Sequence, residues 1–453
     1  MKIGILHYQI GSTDGVSLEI EKWKRVLNEM GHEVYLAAGD LGTAEGTYIE
    51  EMYHHRADAR RLYRSTFQAL AGYPNEEAYR AELMYLAGCI EEQVRAFIHE
   101  NQIDFLIVEN LWSVAVNPAA SVAIGRLVQD LGIPTLGHHH DFYWEREDGI
   151  ALTCGTAIEV ADRYLPPRGH HIEHIVINSI AQRELAERKG IPSTVVPNVF
   201  DFASAPWIVD DYNRDLRERI GLRPNDVMVL QATRIIPRKG IEIAVDLVRA
   251  LDMPERRARL RARGLYDGRP FDDDSRIVLV LAGYARDDLT GGYLQRLKHK
   301  LERSDIDAIF IEEMVAADRQ MDDGEKIYSL WDTYVHADFV TYPSFYEGWG
   351  NQLLETLRAR LPFALFEYPV YRADIAHADL RVVSLGSKVK NLDDLGLVQV
   401  EPEIIDLAAD EAVQLLTDKD LRRAVVDHNF EAGRRHYSLG ALRRYLSDLV
   451  PPA

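Results

Sequence analysis

The chain has 453 residues, 47% of them hydrophobic, enough to bury the cores of two or three domains. Its 52 basic and 72 acidic residues leave a net charge of −20, which argues against a broad nucleic-acid or anionic-membrane surface. Two cysteines, Cys89 and Cys154, are too few for a disulfide scaffold and are not spaced for zinc, so a reducing compartment fits. The opening MKIGILHYQI is too weakly basic and apolar for a signal peptide or membrane span, so a cytoplasmic chain with no stable membrane insertion is expected.

The pattern predicts a strand over Lys2 to His7, then a helix whose apolar face carries Val16, Ile20, Trp23, Leu27 and Met30, with Gly31 as its stop. Glu33 to Ala37 reads as the next strand, and Tyr79 to Glu100 as a long helix. Asp104 to Glu109, Pro134 to Gly137 and His174 to Asn178 read as further strands. The boundary falls soon after Pro197-Asn198, and Asp201 to Asn213, with three aspartates and no periodicity, reads as a linker. A second series follows with strands Val227 to Ala232, Arg276 to Leu281, Ala308 to Ile311 and Asp338 to Tyr342. Single cores stop growing beyond roughly 250–300 residues, so two α/β units are expected rather than one large sheet. Ligands bind beyond the carboxyl ends of strands in such sheets, and two facing units would suit a two-substrate transfer.

Four stretches carry chemistry. Tyr342-Pro-Ser-Phe-Tyr-Glu-Gly-Trp-Gly-Asn-Gln-Leu-Leu-Glu355 follows a strand, turns on Gly348 and Gly350, and opens a helix near Asn351, which makes an anion site flanked by Glu347 and Glu355. Thr233-Arg-Ile-Ile-Pro-Arg-Lys-Gly240 follows another strand, and Arg234 and Lys239 suit a departing diphosphate, although alone such a loop is more often a solvated surface and only its partnership with the Glu motif reverses that. Gly137-His-His-His-Asp-Phe-Tyr-Trp144 ends a strand; adjacent histidines point to opposite sides, so three on one metal is disfavoured. Gly11-Ser-Thr-Asp-Gly-Val16 lacks the third glycine of a dinucleotide fingerprint, and Gly15 serves either a ligand or a turn. Asp272 to Asp274 precedes a strand and reads as a solvated loop.

These motifs resemble the retaining glycosyltransferases of family 4. The family's Pro-Ser, Glu-Gly-aromatic-Gly and second Glu appear as Pro343-Ser344, Glu347-Gly348-Trp349-Gly350 and Glu355, and its basic pair as Arg234 and Lys239. The resemblance implies the GT-B fold, two facing Rossmann-like domains with a last helix, Tyr437 to Leu449, crossing back to the first. Leu442, Tyr445 and Leu446 would share its packed face. Residues 1–200 with 437–453 would bind the acceptor, and 201–436 the donor. It also implies that Glu347 and His140 contact the donor sugar, that Glu355 binds the ribose, and that Arg234 and Lys239 bind the diphosphate. Asn351 and the amides of Gln352, Leu353 and Leu354 would cradle phosphate, Gly15 would approach it, and the segment Ile311 to Val315, with Met314, would read the base. Asp141, Tyr143, Arg146 and Trp112, with Asn117 and Glu145 nearby, are candidates for the acceptor pocket. Thr233 and Arg360 stand where the family usually has glycine.

The expected activity is retaining transfer of a hexose from a nucleoside-diphosphate sugar to a small soluble acceptor such as a sugar, sugar phosphate or glycerate-type polyol, forming an α-glycosidic bond. The nucleotide sugar is a co-substrate; no tightly bound cofactor and no divalent metal is implied, and an oligomer is left open. A glycosyltransferase acting on a membrane lipid or glycan, and a nucleotide-sugar epimerase of the same fold, stay open as alternatives, beside a non-catalytic sugar-binding protein.

Overall fold

A computed structural model describes residues 1–12, 14–145, 150–284, 292–322 and 324–452. The chain divides into an N-terminal unit, Met1–Val199 with Leu439–Ala453, and a C-terminal unit, Phe200–Ser438.

The N-terminal unit is built on seven parallel strands, β1 (Lys2–His7), β2 (Glu33–Ala38), β3 (Thr47–Tyr48), β4 (Phe105–Glu109), β5 (Thr135–His139), β6 (Ile172–Val176) and β7 (Thr194–Val195). Their order is β3-β2-β1-β4-β5-β6-β7. Alternation along the strands buries both faces. Ile3, Ile5, Phe105 and Ile107 join the layer under helix Gly15–Glu29, while Leu6, Leu106 and Val108 meet helices Glu76–Asn101 and Pro118–Leu131. Helix Gly15–Glu29 starts where the Asp14 carboxylate accepts from the amides of Val16 and Ser17, and Gly31 follows it at φ 94°. The strand expected over His174 to Asn178 begins and ends two residues earlier, because Asn178 turns out of the sheet and caps the next helix through the Ala181 amide at 2.7 Å. The last helix, Leu439–Leu449, returns to this unit and buries Leu442 and Leu446, followed by Val450, beside Ile3 and Trp23. Tyr445, expected on that face, is 36% exposed.

The C-terminal unit has a six-stranded parallel sheet of β8 (Val227–Gln231), β9 (Ile277–Leu281), β10 (Asp307–Phe310), β14 (Phe339–Tyr342), β15 (Phe363–Leu365) and β16 (Val383–Ser384), in the order β10-β9-β8-β14-β15-β16. A small sheet of β11 (Val315–Ala316), β12 (Gln320–Asp322) and β13 (Glu325–Ser329) lies between β10 and β14 in sequence. The segment expected as a linker docks onto this unit. Trp207 stacks on Trp331 at 4.5 Å, and Asn213 is buried with its amide nitrogen on Asp332. Phe200 forms a parallel bridge with Ser438, so the first and last residues of this unit run side by side. Arg360 adopts φ 54°, the conformation a glycine would relieve, and is held there by an ion pair to Asp427 and by stacking 3.8 Å over Phe430.

No described helix is long and apolar enough to cross a membrane. Both cysteines are unpaired.

Candidate active site

In each sheet the strand order reverses once, between β1 and β4 and between β8 and β14. Loops leaving the carboxyl ends of such strands open a crevice. Two of the four sequence motifs leave β8 and β14.

After β8 the chain makes a short turn, Pro237–Lys239, and opens helix Ile241–Leu251 at Gly240. After β14 it runs through Pro343 to Gly350 into helix Asn351–Arg358. The two loops are bound to each other. The Phe345 amide donates to the Arg238 carbonyl at 2.8 Å, and a Cβ on Gly240, at φ 60°, would lie 2.4 Å from the Pro343 carbonyl. This contact brings two cations to one carboxylate. Glu347 is buried, its Oε1 accepts from Lys239 Nζ, and its Oε2 accepts from Arg238 at 3.1 Å. Burial pushes the Glu347 carboxyl up, but the ammonium and guanidinium beside it hold it below the usual range. Burial depresses Lys239 despite Glu347, and the charges of Arg238 and Arg234 add to that. The loop pair therefore carries surplus positive charge suited to a polyanion.

Glu355 lies on the following helix and accepts from the Tyr334 hydroxyl at 2.8 Å. Gln352 donates to the Thr341 carbonyl, Thr341 to Gln231, and Gln231 to Thr233, which ties the ends of β8 and β14 together. Thr233 is therefore a polar tie. Its carbonyl lies against Gly283, where a Cβ would come within 1.7 Å. The amides of Leu353 and Leu354 reach the Gly350 carbonyl at 3.0 and 3.4 Å, and both side chains are buried. Gly350, at φ 129°, lies against Tyr368, whose hydroxyl donates to the Trp349 carbonyl. Trp349 is buried edge-on to Tyr437, and Gly348 precedes it in the turn. Met314 ends a short turn before β11, half-buried.

In the N-terminal unit, Glu109 ends β4 with no exposure. Its carboxylate meets His138 Nδ1 at 2.9 Å and His140 Nε2 at 3.3 Å, while its carbonyl meets His7 Nδ1 at 2.7 Å. Burial opposes its charge, but the two imidazoles pull it down to about 2. Burial lowers His138 but His140 is raised, since Glu109, Glu19 and Asp141 outweigh its burial. His140 is further placed by its amide, which donates to Asn110 Oδ1, and Asn110 in turn donates to Asp141. His139 points the other way, to His174 at 3.0 Å. Glu109, His138 and His140 offer ligand atoms within 4.8 Å of one another, a set that fits a cation as well as a proton-sharing group.

No family model matches the chain. A mannosylglucosylglycerate synthase of Petrotoga mobilis is 39% identical over 418 residues, 92% of this chain and 94% of that one. The mannosylglucosylglycerate synthase of Thermotoga maritima is 37% identical over the full length of both chains. The chain belongs to the mannosylglucosylglycerate synthase family. Among solved structures, sucrose-phosphate synthase from Thermosynechococcus elongatus aligns with a TM-score of 0.60 at 14% identity, covering 99% of this chain and 98% of that one. Anabaena HepE in complex with UDP-glucose aligns at 0.56 and 12%, with the same coverage. The fold is thus GT-B, and members of the family are glycosyltransferases that use a nucleotide sugar.

Within this family member, the residues picked from sequence separate into two groups. Lys239 and Glu347 are paired where the β8 and β14 loops meet, Arg234 acts on Lys239 and Glu355 lies on the following helix against Tyr334, while His140 and Asp141 follow β5, with His140 on Glu109 at the end of β4. Trp112 and Tyr143, expected at the acceptor pocket, are packed inside the unit. Trp112 has no exposure and packs in the core, and Tyr143 is buried with its ring stacked on Phe67 at 5.3 Å. Asn117 caps helix Pro118–Leu131, and Glu145 accepts from the Phe142 amide, both structural tasks. Arg146 lies outside the described residues. Gly15 is an exposed first residue of its helix. Gly11, at φ 73°, is where a side chain would strike backbone, 2.3 Å from the Leu41 carbonyl. The sequence reading missed Glu109 and Arg238. Glu109 is the last residue of a strand ending beside the histidine triplet, and Arg238 directly precedes Lys239, so position alone could have flagged both.

Proposed function

We propose that this chain is a retaining glycosyltransferase that moves a mannosyl group from a nucleoside-diphosphate mannose to glucosylglycerate, forming an α-linkage. The observation that carries the reading is the pairing of Arg238 and Lys239 with buried Glu347 at the β8/β14 crevice, with the charge of Arg234 acting on Lys239. The relatives' names supply the substrate class.

In this reading the C-terminal unit holds the donor. Arg234 and Lys239 neutralise the leaving diphosphate, with Arg238 assisting, and fixed cations do so without reorganisation. Glu355, oriented by Tyr334, accepts from the ribose hydroxyls, and Asn351 and Gln352 at the helix start face phosphate. Glu347 stays ionised and accepts from hydroxyls of the transferred sugar, to which His140 is also assigned. The N-terminal unit holds the acceptor. No motif carboxylate is assigned as a covalent nucleophile. The acceptor hydroxyl attacks the face that the diphosphate leaves, and a leaving phosphate oxygen takes its proton. The cations supply what a divalent metal would otherwise supply, and the chain works in the cytoplasm.

The test is to incubate the protein with GDP-, UDP- and ADP-mannose and glucosylglycerate, to find the product by mass spectrometry, and to assign its anomeric configuration by proton NMR. A mannosylated, α-linked product is expected. A β-linked product would overturn retention, and release of free mannose with no acceptor product would overturn the transfer.

A further inference from the structure

The carboxyl edge of the N-terminal sheet carries a row of imidazoles that leads away from His140. His7 ends β1 and is tied to the Glu109 carbonyl; its ring lies 5.4 Å from Tyr8, Tyr8 lies 5.6 Å from His54, and His54 lies 4.0 Å from His55. Arg60 stands at the far end, with one NH2 on His55 Nδ1 at 2.9 Å.

Arg60 differs from Arg56 and Arg61. Arg56 is matched by Glu50 and Asp58, and Arg61 by Glu82. Among the described residues the Arg60 guanidinium, which is exposed, meets no carboxylate, only the His55 imidazole. A guanidinium can only donate, so His55 Nδ1 accepts and its proton sits on Nε2, a second donor at the same end of the row. Burial, with neighbouring positive groups, takes His54 down to about 4 and lowers His55, so the imidazoles are neutral near pH 7 and Arg60 is the charge. Nδ1 of His54 is buried without a hydrogen-bond partner. In a chain of net charge −20, an arginine left without its own counter-charge at a ligand-binding edge suits an anion brought by the ligand.

We propose that Arg60 and His55 form a subsite for the carboxylate of the acceptor, whose sugar lies along His54 and His7 toward His140. In that placement the acid lies at the Arg60 end and the reacting hydroxyl at the His140 end. This assignment rests on the reading that the acceptor ends in glycerate.

The experiment compares glucosylglycerate with glucosylglycerol, which lacks the charge, as acceptors for the full chain and for Arg60→Ala and Arg60→Lys. For Arg60→Ala the ratio of kcat/KM for acid over neutral acceptor is expected to fall tenfold or more, and Arg60→Lys is expected to recover part of it. An unchanged ratio in Arg60→Ala would overturn the subsite. A second arm follows glycerate binding by saturation-transfer NMR, which needs no turnover. Binding by the parent chain that is lost in Arg60→Ala supports the subsite, and equal signals, or none from the parent chain, overturn it. If glycerate binds but glucosylglycerate yields no mannosylated product, the proposed reaction fails and the carboxylate subsite stands.

Discussion

Lys239 and Glu347 are both buried, so neither can lose its partner without leaving a charge in a poor solvent. Replacing Lys239 by Ala should lower kcat by roughly two to three orders of magnitude, the range for a preorganised donor aimed at developing charge. Arg234→Ala should do the same with less effect on folding, because Arg234 is half-buried. Near-parental turnover with both replaced, read by steady-state kinetics, would sink the assignment of the cations to the diphosphate. The buried carboxylate of the other unit gives a pH prediction. Glu109 sits near 2 in the folded chain against an ordinary 4.5, so the stability it contributes is complete above 4.5 and lost as pH falls toward 2. His140 is raised, so its pairing with Glu109 is complete below the ordinary 6.5 and lost as pH rises through the higher folded value. Melting curves of Glu109→Gln should be flatter than the parent's below pH 4.5, and an identical acid limb would contradict the pairing. His140 was singled out through the family resemblance, which rests on the adjacent pair His140-Asp141 and so on local information. Its partner was not, because Glu109 lies 31 positions away and becomes a neighbour only through strand pairing.

Among the elements, the long strands and helices could be read from pattern, because β1 is a short apolar run buried on both faces and helix Gly15–Glu29 buries side chains at three- and four-residue intervals. Two-residue strands such as β3 and β7 have no period to read, and the strand ending near Val176 was placed two residues late because a capping Asn extends an apolar run. Trp112 illustrates the opposite error. An aromatic just past a strand end looks like a pocket wall, and only the packing of helices Glu76–Asn101 and Pro118–Leu131 over it shows that it is core. The loops of the β8/β14 crevice are held by backbone contact with glycines, which makes Gly283 a sharp test. A methyl there would lie 1.7 Å from the Thr233 carbonyl, next to Arg234, so the loop must move. Gly283→Ala is expected to lower the melting temperature and to weaken nucleoside-diphosphate binding by calorimetry, and unchanged values in both would show that the contact is dispensable.

For the whole molecule, the net charge of −20 and the local cluster of cations act at different ranges. The bulk charge repels anionic surfaces, so vesicles of anionic lipid are expected to float without the protein, while the few cations near Glu347 still take an anionic nucleotide sugar. Strong, salt-sensitive flotation would return the acceptor to the membrane class. Removing divalent cations by EDTA is expected to leave turnover within about twofold of the untreated rate. Rescue of a lost rate by Mg²⁺ or Mn²⁺ would mean that the cation cluster alone is not sufficient. Leu442→Ala, in the last helix, should destabilise the N-terminal unit by about 2–5 kcal/mol, as for a buried Leu elsewhere. Hydrogen exchange should then quicken in peptides around Ile3 and Trp23 while β8 and β14 stay protected. That helix also sets an order of events during synthesis. Leu439 follows Val199 by 439 − 199 = 240 positions, so at about 5–20 residues per second the ribosome needs roughly 12–48 s to deliver the piece that seals the first core. The half of the enzyme that is translated first is therefore finished last, and until then the apolar edge beside Ile3 and Trp23 waits uncovered for chaperones or wrong partners to find.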